Sequence, residues 1–180
     1  SVRAALDELG ELAEGDVVIV NDPFLGGTHL PDITAIQAVR ERTGHLLGYV
    51  AARAHHSDVG GSTPGSMPLA REIYEEGLRI PPVRLYRRGA RDEDLWRLIL
   101  ANVRTPGERA GDLYAQLAAL HTGRARLLDL TKRWDAKVVL AMMAGLVTYA
   151  DRLVTAGVAL IPNGQYSAEE ALEDDGFGSG

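Results

Sequence analysis

The chain has 180 residues, 46% of them hydrophobic and 24% charged, with a formal net charge of −6 and no cysteine. That length supports one domain with a real core, expected over residues 1–180. The acidic balance argues against nucleic acid or an anionic membrane as the main partner. With no thiol there is neither a disulfide framework nor a thiolate metal site, so any metal must sit on histidine and carboxylate. The lack of cysteine is also compatible with a cytoplasmic protein.

The N-terminal stretch SVRAALDELGELAEGD has no apolar h-region and is not a signal peptide. Val2, Leu6, Leu9 and Leu12 fall at near-helical spacing and predict an amphipathic helix over 2–14. GDVVIVND, residues 15–22, is a β-branched run between turn signals and reads as a buried strand. ITAIQAVR (33–40) and HLLGYVAARAHH (45–56) read as two further strands joined by the turn ERTG, an antiparallel hairpin. Within 69–82 a short helix is expected, with Gly77 as its stop and an exit through Pro81 and Pro82, and another helix over 92–104 with acidic residues in its first turn. A long helix follows from Pro106, with Leu113, Leu117, Leu120, Leu127 and Leu130 on one face. A last helix, from about Asp135 to Thr155, is apolar on a broad stripe and reads as a core helix. Its Gly145 suggests close packing of another element. The apolar run Val138–Ala150 is too short, and too soon followed by charge, to cross a bilayer. The polar tail over 172–180 is expected to fray. Strands gather before residue 57 and helices after 68, which predicts an α+β fold: a small, mostly antiparallel sheet packed by long helices.

Chemistry concentrates in two loops. NDPFLGGTHLPDIT (21–34) combines a Pro-stiffened turn with a Gly-Gly pair, and displays Asp22, Thr28, His29 and Asp32. The second loop, SDVGGSTPGSMP (57–68), follows His55 and His56 and carries Asp58. Three of the five histidines fall at these two loops, and the hairpin brings the loops together. An imidazole and a carboxylate three residues apart, with a second imidazole opposite, suit a divalent metal. A single histidine in a glycine-rich loop has about an even chance of merely hydrogen-bonding backbone. It is the shared location that points to ligation.

Adjacent strand residues face opposite ways, so His56 goes with Val50, Ala52 and Ala54, and His55 with Tyr49 and Arg53. The first set resembles core packing and the second a polar cleft. His29, Asp32 and His55 are therefore the expected metal ligands, with the choice between His55 and His56 left open. His56 and Asp58 are the expected catalytic groups, orienting a ligand or moving a proton, with a loop-cap role for Asp58 as the alternative. His45 and His121 lie away from both loops, and Glu75 and Glu76 read as a solvated helix end. There is no GxSxG elbow, and no Walker lysine follows a glycine loop, so a self-contained ATP site is not expected.

The stretches NDPFLGGTHLPDIT, ARAHHSDVGGSTPGSMP, EIYEEGLRIPPVRLY, NVRTPGERAGDLYAQLAAL and IPNGQYSAEEALEDDG occur in this order. Together they resemble the hydantoinase B / 5-oxoprolinase family, which includes N-methylhydantoinase B subunits and the metal-bearing subunit of acetone carboxylase. The resemblance runs from about residue 10 to 176. Family chains are considerably longer, which implies that this one is a portion of such a chain. The resemblance implies ATP-dependent opening of a cyclic amide such as a hydantoin or 5-oxoproline, with ketone carboxylation, or a non-catalytic assembly module, as the alternatives. It also implies a hydantoinase A-type partner subunit that binds ATP, hence a hetero-oligomer acting on a small molecule. A divalent metal (Mn, Zn or Fe) is implied as cofactor on this chain, its His-x-x-Asp falling on His29 and Asp32 and its third ligand on the His55-His56 pair.

Overall fold

The computed structural model describes residues 1–66 and 68–170. The expected frayed tail lies outside them. Packing divides the chain into two compact units, Ser1–Asp129 and Leu130–Gly180.

The first unit is built on a five-stranded antiparallel sheet of order β3-β2-β1-β4-β5, with β1 Val17–Val20, β2 Asp32–Arg40, β3 Leu46–His55, β4 Val83–Arg87 and β5 Ala90–Arg91. β1 is central, and its four residues are buried on both faces, as an unbroken β-branched run requires. Val17 and Ile19 point to a cluster with Leu85, Trp96, Ile99, Leu113 and Leu120, supplied by β4 and the helices α2 (Glu93–Ala101) and α3 (Pro106–Trp134). Val18 and Val20 point the other way, to Ala5, Leu12 and Ile36 under α1 (Val2–Leu9). The sheet is thus covered by α1 on one side and by α2 and α3 on the other. The α+β class is as expected.

Several elements differ from expectation. The first helix stops at Leu9, because Gly10 turns the chain at φ 72°. The short helix expected before Gly77 is only a 3-10 turn at Ile73–Glu75. Asn21 holds the stretch beyond it extended: its Oδ1 accepts from Ile80 N at 2.6 Å, and its Nδ2 donates to Leu78 O at 2.9 Å. β4 and β5 form a hairpin that the strand pattern did not announce. It turns at Arg88 and Gly89, both at positive φ.

α2 begins at Asp92, whose carboxylate accepts from Leu95 N, in line with its expected acidic start. On α3 the leucine face is buried at Leu113 and Leu120, while Leu130 is exposed.

The second unit holds the end of α3 and α4 (Ala136–Val158). α4 is not a core helix among the described residues: only 6% of its apolar window is buried. A Cβ added at Gly145 would meet nothing within 4 Å, so no close packing explains that glycine. At 23 residues, with a mean hydropathy of 1.5 over an 18-residue stretch, α4 is long and apolar enough to cross a bilayer by length and composition alone. The apolar character resumes after Asp151 and Arg152, which the 138–150 run leaves out.

Candidate metal centre

The first glycine loop is shaped by its own backbone. Asp22 Oδ1 accepts from Phe24 N at 2.9 Å and starts the 3-10 turn Pro23–Leu25, which Gly26 ends in the left-handed region. Gly27 then closes the loop on Asn21. A Cβ at Gly27 would lie 2.2 Å from the Asn21 carbonyl oxygen, a contact no side chain could tolerate. Asp22 is not displayed as expected. It is 4% exposed, and its other oxygen pairs with Arg79 at 3.4 Å.

Leu30, fully buried, anchors the loop, and Asn21 Nδ2 donates to its carbonyl at 2.7 Å. His29 and Asp32 fall on one turn, closed by Asp32 N donating to His29 O at 3.0 Å. β2 and β3 then set Asp32 directly opposite His55.

Three expected ligands therefore share the α1 face of the sheet at one end of the hairpin. His29 Nδ1 stands 3.2 Å from Asp32 Oδ2, and the His29 and His55 rings have centroids 5.0 Å apart. Two donors on one zinc, each at 2.0–2.2 Å in tetrahedral geometry, stand about 3.3–3.6 Å apart, so the His29–Asp32 separation suits a shared ion. Among the described residues no group of three or more such side chains is assembled around one point as it stands. His55 is exposed. As donor types, two imidazoles and a carboxylate are those a divalent metal takes; in geometry only His29 and Asp32 stand at a ligand-pair separation.

Burial works to raise the Asp32 carboxyl, but a hydrogen bond from Thr28 Oγ1 at 2.6 Å and the charges of His29, Arg53 and His55 together outweigh it. The net effect holds Asp32 below the usual carboxylate range, ionised and ready to bind a cation. Arg53 lies opposite Thr34 in the register, and its Nε donates to Thr34 Oγ1 at 2.9 Å.

The structure does not bring His56 and Asp58 to these residues. Strand alternation sends the His56 ring to the α3 side, where it is 1% exposed and Nε2 lies 2.9 Å from Gln116 Oε1. Gln116 Nε2 donates to Ile33 O at 2.8 Å and to Ala52 O at 3.0 Å, so its oxygen must be the acceptor, and His56 Nε2 carries the proton. Burial depresses the pKa of His56, against the hydrogen bond it donates to Gln116 and the charge of Asp112, leaving it neutral. His56 N donates to Pro31 O at 2.8 Å, which ties the end of β3 to the His29–Asp32 turn.

Asp58 is a loop cap. Its Oδ1 accepts from Gly60 N and from Arg104 Nη1, each at 3.1 Å, and Oδ2 accepts from Arg104 N. Burial acts to raise its carboxyl, and these bonds hold it below the usual range. Both residues are buried parts of the scaffold. Sequence reasoning did not single out Gln116, sixty positions from His56, nor the Thr34–Arg53 pair, which the hairpin register alone would have found.

The family model for hydantoinase B/oxoprolinase matches residues 1–178. The caprolactamase subunit beta of Pseudomonas jessenii is 41% identical over 171 residues, 94% of this chain and 29% of that protein. The 5-oxoprolinase of Saccharomyces cerevisiae is 38% identical over 191 residues, 97% of this chain and 15% of that protein. The crystal structure of the ATP-dependent caprolactamase from Pseudomonas jessenii superposes with a TM-score of 0.89 at 37% identity, covering 97% of this chain and 30% of that one. The chain thus spans less than a third of the relatives it matches. Agreement over nearly all of its residues, in sequence and in fold, makes this chain a member of the hydantoinase B/oxoprolinase family.

Proposed function

We propose that this chain is the metal-bearing part of an ATP-dependent cyclic-amide hydrolase, working with a separate ATP-binding A-type subunit. The observation that carries the reading is the His29–Asp32 pair, 3.2 Å apart, with His55 opposite Asp32 across the hairpin. His29, Asp32 and His55 would hold a divalent metal: Mn, Fe or Zn. Such an ion supplies Lewis acidity toward a carbonyl oxygen or a bound water.

The chain's own residues set that chemistry up. Thr28 fixes which oxygen of Asp32 faces His29. His56 and Gln116 hold the strand end in register from the far side of the sheet. A cyclic amide is favoured over a ketone because the relatives named for caprolactam and 5-oxoproline are 41% and 38% identical over nearly this whole chain. A partner is expected because the caprolactamase relative is itself named as a subunit.

Metal analysis of the purified chain, loaded separately with Mn, Fe and Zn, tests the site. One ion per chain is expected in the wild type, and loss of most of it in His29→Ala. A wild type that retains no stoichiometric divalent metal under any loading sinks the reading.

A further inference from the structure

The geometry points to Arg53 as the residue that recognises a small oxyanion, a carboxylate or a phosphate group, beside the metal ligands. This rests on the site proposed above and adds the class of ligand that the site takes.

Arg53 stands two residues before His55 on β3, so both face the α1 side of the sheet. Its guanidinium is held at three nitrogens. Nε donates to Thr34 Oγ1 at 2.9 Å, Nη2 to Ser1 Oγ at 2.8 Å, and Nη1 more weakly to Thr28 Oγ1 at 3.5 Å. All three acceptors are neutral hydroxyls.

Other arginines of this unit are neutralised where they are held. Arg84 lies 3.0 Å from Asp16, Arg104 lies 3.1 Å from Asp58, and Arg79 lies 3.4 Å from Asp22. Among the described residues Arg53 has no carboxylate at such a distance. It is fixed in place and keeps its charge.

A guanidinium has five N–H groups. Three are committed, which leaves one on each Nη to donate to the oxygens of a carboxylate or phosphate. The charge of Arg53 acts on Asp32, whose Oδ2 already faces both Thr28 and His29. A cation on Asp32 would consume that negative charge and leave Arg53 still less compensated. Anion binding and metal binding should therefore strengthen each other, by the same factor in both directions.

The ligand this selects carries an anionic oxygen pair within reach of both the metal and Arg53. A substrate bearing its own carboxylate would meet the requirement, and so would a group phosphorylated elsewhere and delivered here.

The test uses the full chain, zinc-loaded and metal-free, titrated calorimetrically with acetate and with inorganic phosphate. The variant is Arg53→Gln, which retains hydrogen-bond donors for the hydroxyls and removes the charge. Saturable binding of at least one probe is expected in the wild type. It should weaken about tenfold or more in Arg53→Gln, as for loss of a charge-assisted bidentate contact, with zinc content and melting temperature unchanged.

The probe that binds tells a carboxylate ligand from a phosphate one. Equal affinity in wild type and variant, or no binding of either probe to the wild type, overturns the inference while zinc loading still supports the metal site. Arg53-dependent binding in a chain that never loads metal does the reverse.

Discussion

The sheet unit and helix α4 are made of the same kinds of residue and meet opposite fates. In the sheet unit, Val18, Ile19, Val20, Ile36 and Leu85 lie at 0% exposure between α1 on one side and α2 and α3 on the other. Along α4, Leu146 is 66% exposed, Val147 72% and Val154 65%. The difference is not one of hydrophobicity but of neighbours: an apolar face says what an element must bury, and only another element can bury it. A helix apolar on nearly every side belongs in the interior of a larger body or in a bilayer, and this chain spans less than a third of its relatives.

The largest effect should come from the centre of the sheet. Leu85→Ala is expected to cost about 2–5 kcal/mol in urea unfolding, since a fully buried leucine leaves both lost transfer energy and a cavity. If it costs no more than a substitution in α4, the contrast drawn above fails.

An intermediate effect should come from acid. His56 is buried neutral and titrates below its ordinary value, with Asp112, Arg109 and His55 as the charges around it. The unfolded chain takes up its proton near pH 6.5, while the folded chain resists until lower pH. Stability from this group is therefore full above about pH 6.5 and falls as pH drops toward the folded value. Urea midpoints measured with chelator from pH 7.5 to 5 should decline in the wild type and stay flat in His56→Gln. An unchanged slope in the variant would assign the titration to another histidine.

The smallest effect belongs to α4. Leu146→Ala should change the urea midpoint by no more than about 0.5 kcal/mol, because its side chain loses almost no buried contact. A cost of several kcal/mol would mean that α4 is covered in solution.

Much of the candidate site could be read from local rules. The Gly-Pro loop between 21 and 34, the hairpin and the two-residue period of β3 are enough to put His29, Asp32 and His55 on one face and His56 on the other. The same register pairs Arg53 with Thr34. These inferences hold because each depends on a handful of consecutive residues whose φ/ψ options are few.

What escaped the sequence depended on partners far along the chain. The stretch before Gly77 reads as a helix, yet it forms only a 3-10 turn, with Glu75 O accepting from Ser62 N and Leu78 N donating to Val59 O. Asp58 looked as fit for chemistry as for capping until Arg104, 46 residues on, closed around it. α4 carries a core helix's composition, but burial is a property of the neighbouring surface and is not written in the helix. Periodicity and turn chemistry thus determined which residues form the sheet's end and which face they take. Tertiary contacts decided which carboxylates and histidines remain accessible to solvent, because desolvation and pairing depend on everything packed around a group.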